Sequence, residues 1–77
     1  MYSILYCMKE IIQNEVFSLR KHLNITQEDL AEAMQVSRQT IIAIEKGNYT
    51  PSVLLALKLA DYFKEPVEKV FTISYEK

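Results

Sequence analysis

Two helix start signals in close succession, Thr26 and Ser37, constrain the fold of this chain more than any other feature. Thr26 can accept a hydrogen bond from the first turn of a helix, and Asp29 lies at the position that completes a capping box. Ser37 is a second N-cap candidate, and Gly47 can supply the left-handed residue that commonly follows a helix. Only residues 34–36 remain between the two helices, so the connection is a tight turn. The pattern predicts a helix-turn-helix.

The apolar residues of this stretch fall on one side of each helix. They are Leu30, Ala31 and Met34 on the first helix, and Ile41 and Ile44 on the second. The opposite side of the second helix is predicted to face outward, and its side chains are mostly polar. They are Gln39, Ile42, Ala43 and Lys46, flanked by Arg38 and Thr40. A helix with one buried face and this outward set is suited to contact another molecule.

Several separated motifs resemble the phage repressor/Cro type of helix-turn-helix domain, the XRE family. The sequence reads TQEDLA at 26–31, VSRQTI at 36–41, IEKGNY at 44–49, PS at 51–52 and LALKLA at 55–60. The resemblance covers roughly residues 14–71 and is strongest to very short bacterial regulators. It implies an all-α fold, a compact five-helix repressor-like domain with short terminal β-strands as an option. It also implies a sequence-specific DNA-binding transcriptional regulator.

Three further positions carry structural expectations from the same resemblance. In related repressors, a buried arginine of helix 1 pairs with a glutamate near the end of the recognition helix, and Arg20 and Glu45 occupy these positions. Gln35 departs from the family, which usually has Gly or Asn in the turn. A positive φ at Gln35 would cost about 1 kcal/mol or somewhat more.

Length and composition predict a single soluble domain. Seventy-seven residues suffice for one domain, and 49% hydrophobic with 25% charged residues is too apolar for a disordered chain. No apolar run approaches the roughly 18 residues of a membrane span. We find no nucleophile–base set, metal-ligand cluster or phosphate-cradling glycine loop, so we expect neither an enzyme nor a bound metal or cofactor. A small-molecule ligand is not expected either, because no sensing domain is recognisable.

The single cysteine, the single histidine and the net charge give three further expectations. The one cysteine, Cys7, cannot form an internal disulfide, which fits a reducing cytoplasm, and His22 is predicted to lie at the surface near a helix end. The net charge of −1 is unusual for a DNA-binding protein, since DNA affinity depends largely on phosphate neutralisation. Any positive surface must therefore arise from the arrangement of charges in space.

We divide the chain into an N-terminal extension (1–8), a helix-turn-helix DNA-binding domain (9–71) and a C-terminal tail (72–77) that is a possible dimer strand. Apolar spacing favours one helix from about 9 to 23, with residues 1–7 undecided between helix and strand. Ser52 is predicted to cap a fourth helix with Val53 on its apolar face, and Pro66 to lie in the first turn of a fifth. Residues 71–76 alternate like a strand, whose partner would be either residues 2–7 or its own copy in a dimer.

The recognition helix, about 38–46, is expected to enter the major groove with its N-terminal residues at base edges. Gln39 is the best candidate for direct readout, because its amide can bond both N6 and N7 of an adenine. Arg38 could bond a guanine or hold a phosphate, and both roles stay open. Thr40 and Ala43 offer methyl groups to a thymine methyl.

Other residues are expected to contact phosphates. Gln27, in the first turn of the preceding helix, would bind a phosphate together with backbone N–H groups. Lys46, Asn48 and Tyr49 follow the recognition helix and would hold the next phosphates. For Ser37 the alternative is a purely capping role, and for Tyr49 it is packing of the ring against the fourth helix.

One helix reads only a few base pairs, so we expect a homodimer on a palindromic DNA site with half-sites about 10 bp apart or a multiple of it. The candidates for the dimer contact are exposed apolar residues together with the C-terminal strand. They are Leu54, Tyr62, Ile73 and Tyr75. The alternative function is an antitoxin-like or other protein-interaction module, which the net acidity and the outward Ile42 favour.

Overall fold

Five helices lie between two paired strands within residues 9–76, the part of the chain that the computed structural model describes. The elements in order are β1 (Lys9–Asn14), α1 (Val16–Leu23), α2 (Gln27–Met34), α3 (Arg38–Glu45), α4 (Val53–Phe63), α5 (Val67–Val70) and β2 (Phe71–Glu76). This arrangement confirms the predicted helical fold class with short terminal strands. Cys7 and the 2–7 segment lie outside the described residues.

The predicted helix start signals are confirmed. The Thr26 hydroxyl accepts a hydrogen bond from the Asp29 N–H at 2.9 Å, and the Asp29 carboxylate accepts one from the Thr26 N–H at 3.1 Å. This reciprocal pair is a capping box at the start of α2. Ser37 caps α3 and Ser52 caps α4, each accepting from the backbone N–H three residues later. Pro66 is the residue before α5 rather than part of its first turn.

Four helices are followed by a residue in the left-handed region, and only one of these residues is glycine. Gly47 has φ 80° after α3, Asn24 has φ 60° after α1, Gln35 has φ 62° after α2 and Lys64 has φ 60° after α4. In each case the backbone N–H groups at the helix end bond back to carbonyls three and five residues earlier. The predicted helix stop at Gly47 is confirmed, Asn24 has the same role after α1, and the turn does impose a positive φ on Gln35.

The core lies where the helices converge, and α5 closes it. The residues with no exposed surface are Val16, Leu30, Ile41, Ile44, Leu59 and Val70. The stripes predicted on the two helices of the motif are therefore confirmed. The prediction for Val53 is wrong: its side chain is 77% exposed, because it stands in the first turn of α4, beyond the end of the core.

The prediction of a single helix over 9–23 is also wrong. Residues 9–14 form β1, which pairs antiparallel with β2 so that Ile12 faces Ile73 and Asn14 faces Phe71. The helix begins only at Val16. The adjacent β-branched Ile11 and Ile12 suit a strand, and pairing with the other end of the chain overrides the helical spacing. The partner of β2 is thus neither of the two that we expected from the sequence.

Two smaller expectations concern side-chain exposure. His22 is exposed in the last turn of α1, as predicted. Tyr62, a predicted dimer contact, is half-buried and packs edge-on against Phe63, with 5.5 Å between ring centroids. Within residues 9–76 no helix combines the length and apolar character needed to cross a membrane.

Candidate nucleic-acid interface

The helix-turn-helix is held together by close apolar packing between α2 and α3. Leu30 of α2 and Ile41 and Ile44 of α3 are fully buried, and Ala31 is nearly so. The small side chain of Ala31 leaves room for α3 to approach α2 closely. The buried face of α3 fixes which of its residues point away from the protein.

A buried ion pair orients the end of α3. The Arg20 guanidinium donates from Nε to the Glu45 Oε2 at 2.7 Å and from Nη2 to the Glu45 Oε1 at 3.2 Å. Its Nη1 also donates to the Ile25 carbonyl at 3.0 Å. The two charged side chains are only 8% and 5% exposed. This confirms the expected pairing, whose two-pronged geometry fixes α3 relative to α1.

Gln27 takes part in the same network, which the sequence did not predict. Its side-chain Nε2 donates to the Glu45 Oε1 at 3.1 Å, so this amide joins the start of α2 to the end of α3. The bond depends on how steeply α2 and α3 cross, which no local sequence signal encodes. One of the two side-chain N–H groups that were expected to be available for phosphate is therefore engaged within the protein.

Two further polar links at helix ends were also missed from the sequence. The Asn14 amide donates to the Ile44 carbonyl at 2.9 Å, and its Oδ1 accepts the Val16 N–H at 3.1 Å. The Lys58 ammonium donates to the Met34 carbonyl at 2.9 Å. Both bonds satisfy carbonyl groups that a helix C-terminus leaves without an intrahelical partner.

The structure brings the predicted contact residues together along α3 and the loop after it. Those with exposed side chains are Ser37, Arg38, Gln39, Lys46, Asn48 and Tyr49. Thr40, Ile42 and Ala43 are half-buried. The Ser37 and Thr40 hydroxyls also lie 3.0 Å apart, within hydrogen-bond distance. Gln27 is half-buried as well, and its side chain is hydrogen-bonded to Glu45.

An open cleft of about 550 Å³ lies between the end of α1 and the start of α2. Its lining includes the basic side chains of Lys21 and Arg38 and the first residues of α2. A helix N-terminus carries free N–H groups and a partial positive charge, both of which favour an anion. In a protein whose net charge is −1, the cleft thus brings two exposed basic side chains beside α3, together with one acidic side chain, Glu28.

Hydrogen bonds from Thr26 hold the pKa of the Asp29 carboxyl below its ordinary value of 3.8. The backbone N–H of Thr26 is the larger cause and its side chain the smaller. Because the pKa of Asp29 is lower in the folded state than in the unfolded state, the ionised carboxylate stabilises the fold. This stabilisation is fully present when the pH lies above the pKa of Asp29 in the unfolded chain. The stabilisation is lost as the pH falls through the pKa of Asp29 in the folded protein.

The fold and the outward face of α3 define a helix-turn-helix domain. The chain belongs to the XRE-type helix-turn-helix family, and the family model described as "Helix-turn-helix" matches residues 16–70. The match begins at the first residue of α1 and ends at the last residue of α5, so both strands lie outside it. Within residues 9–76, no cluster of His, Cys, Asp and Glu side chains could hold a metal ion.

Similar proteins come from both archaea and bacteria. An uncharacterized HTH-type transcriptional regulator of Methanocaldococcus jannaschii is 52% identical over 60 residues, covering 78% of this chain and 91% of the relative. The uncharacterized HTH-type transcriptional regulator YgzD of Bacillus subtilis is 46% identical over 65 residues, covering 84% and 98%. A third such regulator, from Methanothermobacter thermautotrophicus, is 51% identical over 55 residues, covering 70% and 80%.

Proposed function

We propose that this protein is a sequence-specific DNA-binding transcriptional regulator of the cytoplasm, with α3 as its recognition helix. The observation that carries this proposal is the two-sidedness of α3. Ile41 and Ile44 are fully buried, whereas Arg38 and Gln39 project from the first turn and are exposed. A helix held in this way can enter the major groove with its first turn against the base edges.

Readout is assigned to the first two turns of α3. Gln39 bonds N6 and N7 of an adenine, and Arg38 bonds either a guanine or a phosphate from its position beside the cleft at the start of α2. Thr40 and Ala43 are half-buried, which limits them to apolar contact with a thymine methyl group.

Phosphates are held on both sides of the recognition helix. Lys46, Asn48 and Tyr49 are exposed just after α3 and bind one stretch of backbone. On the other side, Ser37 contributes its hydroxyl and Gln27 mainly its backbone N–H, since one of its two side-chain N–H groups already bonds Glu45. This division gives α2 a mainly electrostatic and positional part.

The protein acts as a homodimer on a palindromic site. One helix of eight residues spans only a few base pairs, and the net charge of −1 leaves few phosphate contacts per copy. Two copies double both the sequence read and the phosphates neutralised. Half-sites are expected about 10 bp apart or a multiple of it.

Selection from random DNA sequences, followed by affinity measurements at several salt concentrations, tests this function. Gln39→Ala should relax the base preference at one position of each half-site. Lys46→Ala should weaken binding to all sequences alike and reduce the salt slope by about one per copy. Lys69→Ala is the matched control: it removes an exposed lysine from α5 and should leave the salt slope closer to that of the wild type.

The two variants are expected to differ in kind. Equal loss for Gln39→Ala and Lys46→Ala, with base preference unchanged, would contradict the roles assigned here. Failure of the wild-type protein to enrich any sequence would favour the second candidate function, an antitoxin-like or other protein-interaction module. The exposed aliphatic side chains of α4 support that candidate, since Val53 is 77% and Leu57 51% exposed.

A further inference from the structure

A largely apolar surface runs from the start of α4 to the outer face of the two strands. It consists of five large side chains that remain partly exposed, and we name it the apolar belt. Its members are Leu54 (69% exposed), Ile73 (59%), Tyr49 (48%), Tyr75 (43%) and Ile12 (41%). Single exposed apolar residues are common on monomeric proteins, but a contiguous set of this kind marks an interaction site.

Tyr49 makes the belt continuous through its ring, which leaves its hydroxyl for the phosphate contact proposed above. It lines an open cleft of about 280 Å³ together with Leu54, and a second cleft of about 400 Å³ together with Ile12 and Ile73. Ile12 and Ile73 face each other across the strands, so both side chains lie on one face of the sheet. Tyr75 lies two residues beyond Ile73 and therefore shares that face.

The exposed area is large enough for a specific contact between two copies. With roughly 200 Å² for each large side chain, the five exposed fractions amount to about 500 Å² per copy. Two belts placed against each other would thus bury on the order of 1,000 Å², the size at which specific interfaces begin. Packing against one another would cover the belts of both copies at once.

We propose that the apolar belt is the surface through which two copies of this chain associate around a two-fold axis. This proposal rests on the proposed function, which requires two recognition helices. The belt adjoins the end of α3, because Tyr49 follows Glu45 by a short loop. The five belt residues are uncharged, and the charged residue beside them on the same face of the sheet is Glu10, which is exposed and faces Tyr75.

The position of the belt suits the spacing of DNA half-sites. Gln39 lies near the far end of α3, and a helix of eight residues is about 12 Å long. When the two helices run away from an axis near Tyr49, their reading ends are separated by about 24 Å plus the loops between them. This approaches the separation of about 34 Å between successive turns of the major groove.

Sedimentation equilibrium of the full chain and its variants tests the proposal. Leu54→Ser and Ile73→Ser should each raise the dimer dissociation constant about ten-fold or more, since each change removes two apolar side chains from a symmetric interface. Val53→Ser and Leu57→Ser are matched controls. They lie on α4 and are 77% and 51% exposed, but neither lines either cleft, so both variants should dimerise like the wild type.

Circular dichroism of each variant confirms folding. Because Leu54 lies on α4, its effect cannot be attributed to loss of the strands. A wild-type protein that stays monomeric at about 100 μM overturns the proposal, as does dissociation by Val53→Ser with Leu54→Ser still dimeric. If the wild type dimerises through the belt but selects no DNA sequence, the result supports the belt as the dimer interface and contradicts the proposed regulatory function. If it selects DNA as a monomer, the function stands and the belt fails.

Discussion

The helix-turn-helix and the two-stranded sheet are organised differently, although they adjoin each other. The helix-turn-helix is defined by signals within a few residues of each element, such as the capping box at Thr26, and it contains the fully buried Leu30 and Ile41. The sheet joins residues from opposite ends of the described chain, and none of its residues with a described side chain is fully buried. The first region supports itself, whereas the second depends on what it attaches to.

The attachments of the sheet are few and specific. The Asn14 amide donates to the Ile44 carbonyl at the end of α3, and the Glu15 N–H donates to the Val70 carbonyl at 2.9 Å. Isolated two-stranded sheets are marginally stable at best. The comparison therefore indicates that the helical core holds the sheet in place. The stability of this small protein resides mainly in its helices.

The largest expected effect lies in the helical region. Arg20→Ala leaves the Glu45 carboxylate buried without its charged partner and should lower the free energy of unfolding by about 3–5 kcal/mol. Urea denaturation followed by circular dichroism measures this loss. Lys21→Ala, an exposed neighbour on α1, should change stability by less than about 0.5 kcal/mol. Equal effects of the two substitutions would show that the buried pair does not anchor this region.

An intermediate effect is expected where the two regions meet. Asn14→Ala removes the bonds to the Ile44 carbonyl and the Val16 N–H and should cost about 1–3 kcal/mol. Hydrogen exchange should then show faster opening of β1 and β2 than of α2 and α3. Gln13→Ala, one residue earlier on β1 with an exposed side chain, is the control. Uniform loss of protection in all four elements would mean that the sheet and the helices unfold as one unit.

The smallest expected effect is a stabilising one, at the left-handed residue in the turn between α2 and α3. Gln35→Gly relieves a left-handed conformation that costs a side-chain-bearing residue about 1–2 kcal/mol, offset by the greater freedom of glycine in the unfolded chain. A net gain of up to about 1 kcal/mol in the free energy of unfolding is expected. Asn24→Gly should gain less, because asparagine tolerates this conformation better. Thermal denaturation of both variants would expose any reversal of that order.

The sequence predicted what nearby residues determine. The caps at Thr26, Ser37 and Ser52 and the stop at Gly47 each depend on a few adjacent positions, and all are confirmed. The resemblance to known repressors supplied the Arg20 pairing, which no local pattern would have indicated. The outward set on α3 followed from helical spacing once the buried isoleucines were recognised.

The strand β1 and the inward turn of Gln27 could not be predicted in this way. The spacing of apolar residues from 9 to 23 favours a helix, and pairing with β2 overrides it over residues 9–14. The hydrogen bond from Gln27 to Glu45 requires the crossing angle of α2 and α3 to be known first. Both features depend on contacts between segments that are distant in the sequence. Patterns among neighbouring residues carry no information about such contacts.

Under the proposed function, the hydrogen bonds that tie α3 to other elements have a consequence for how its DNA preference could change. Within the described residues, those made by side chains all converge on the last two positions of the helix, at the Ile44 carbonyl and the Glu45 carboxylate. The opposite end is left unencumbered apart from its own cap. Exchanging Arg38, Gln39 and Ala43 should thus retune the operator while the scaffold that aims the helix stays intact. Very few mutations would then be needed for the protein to bind a new DNA sequence.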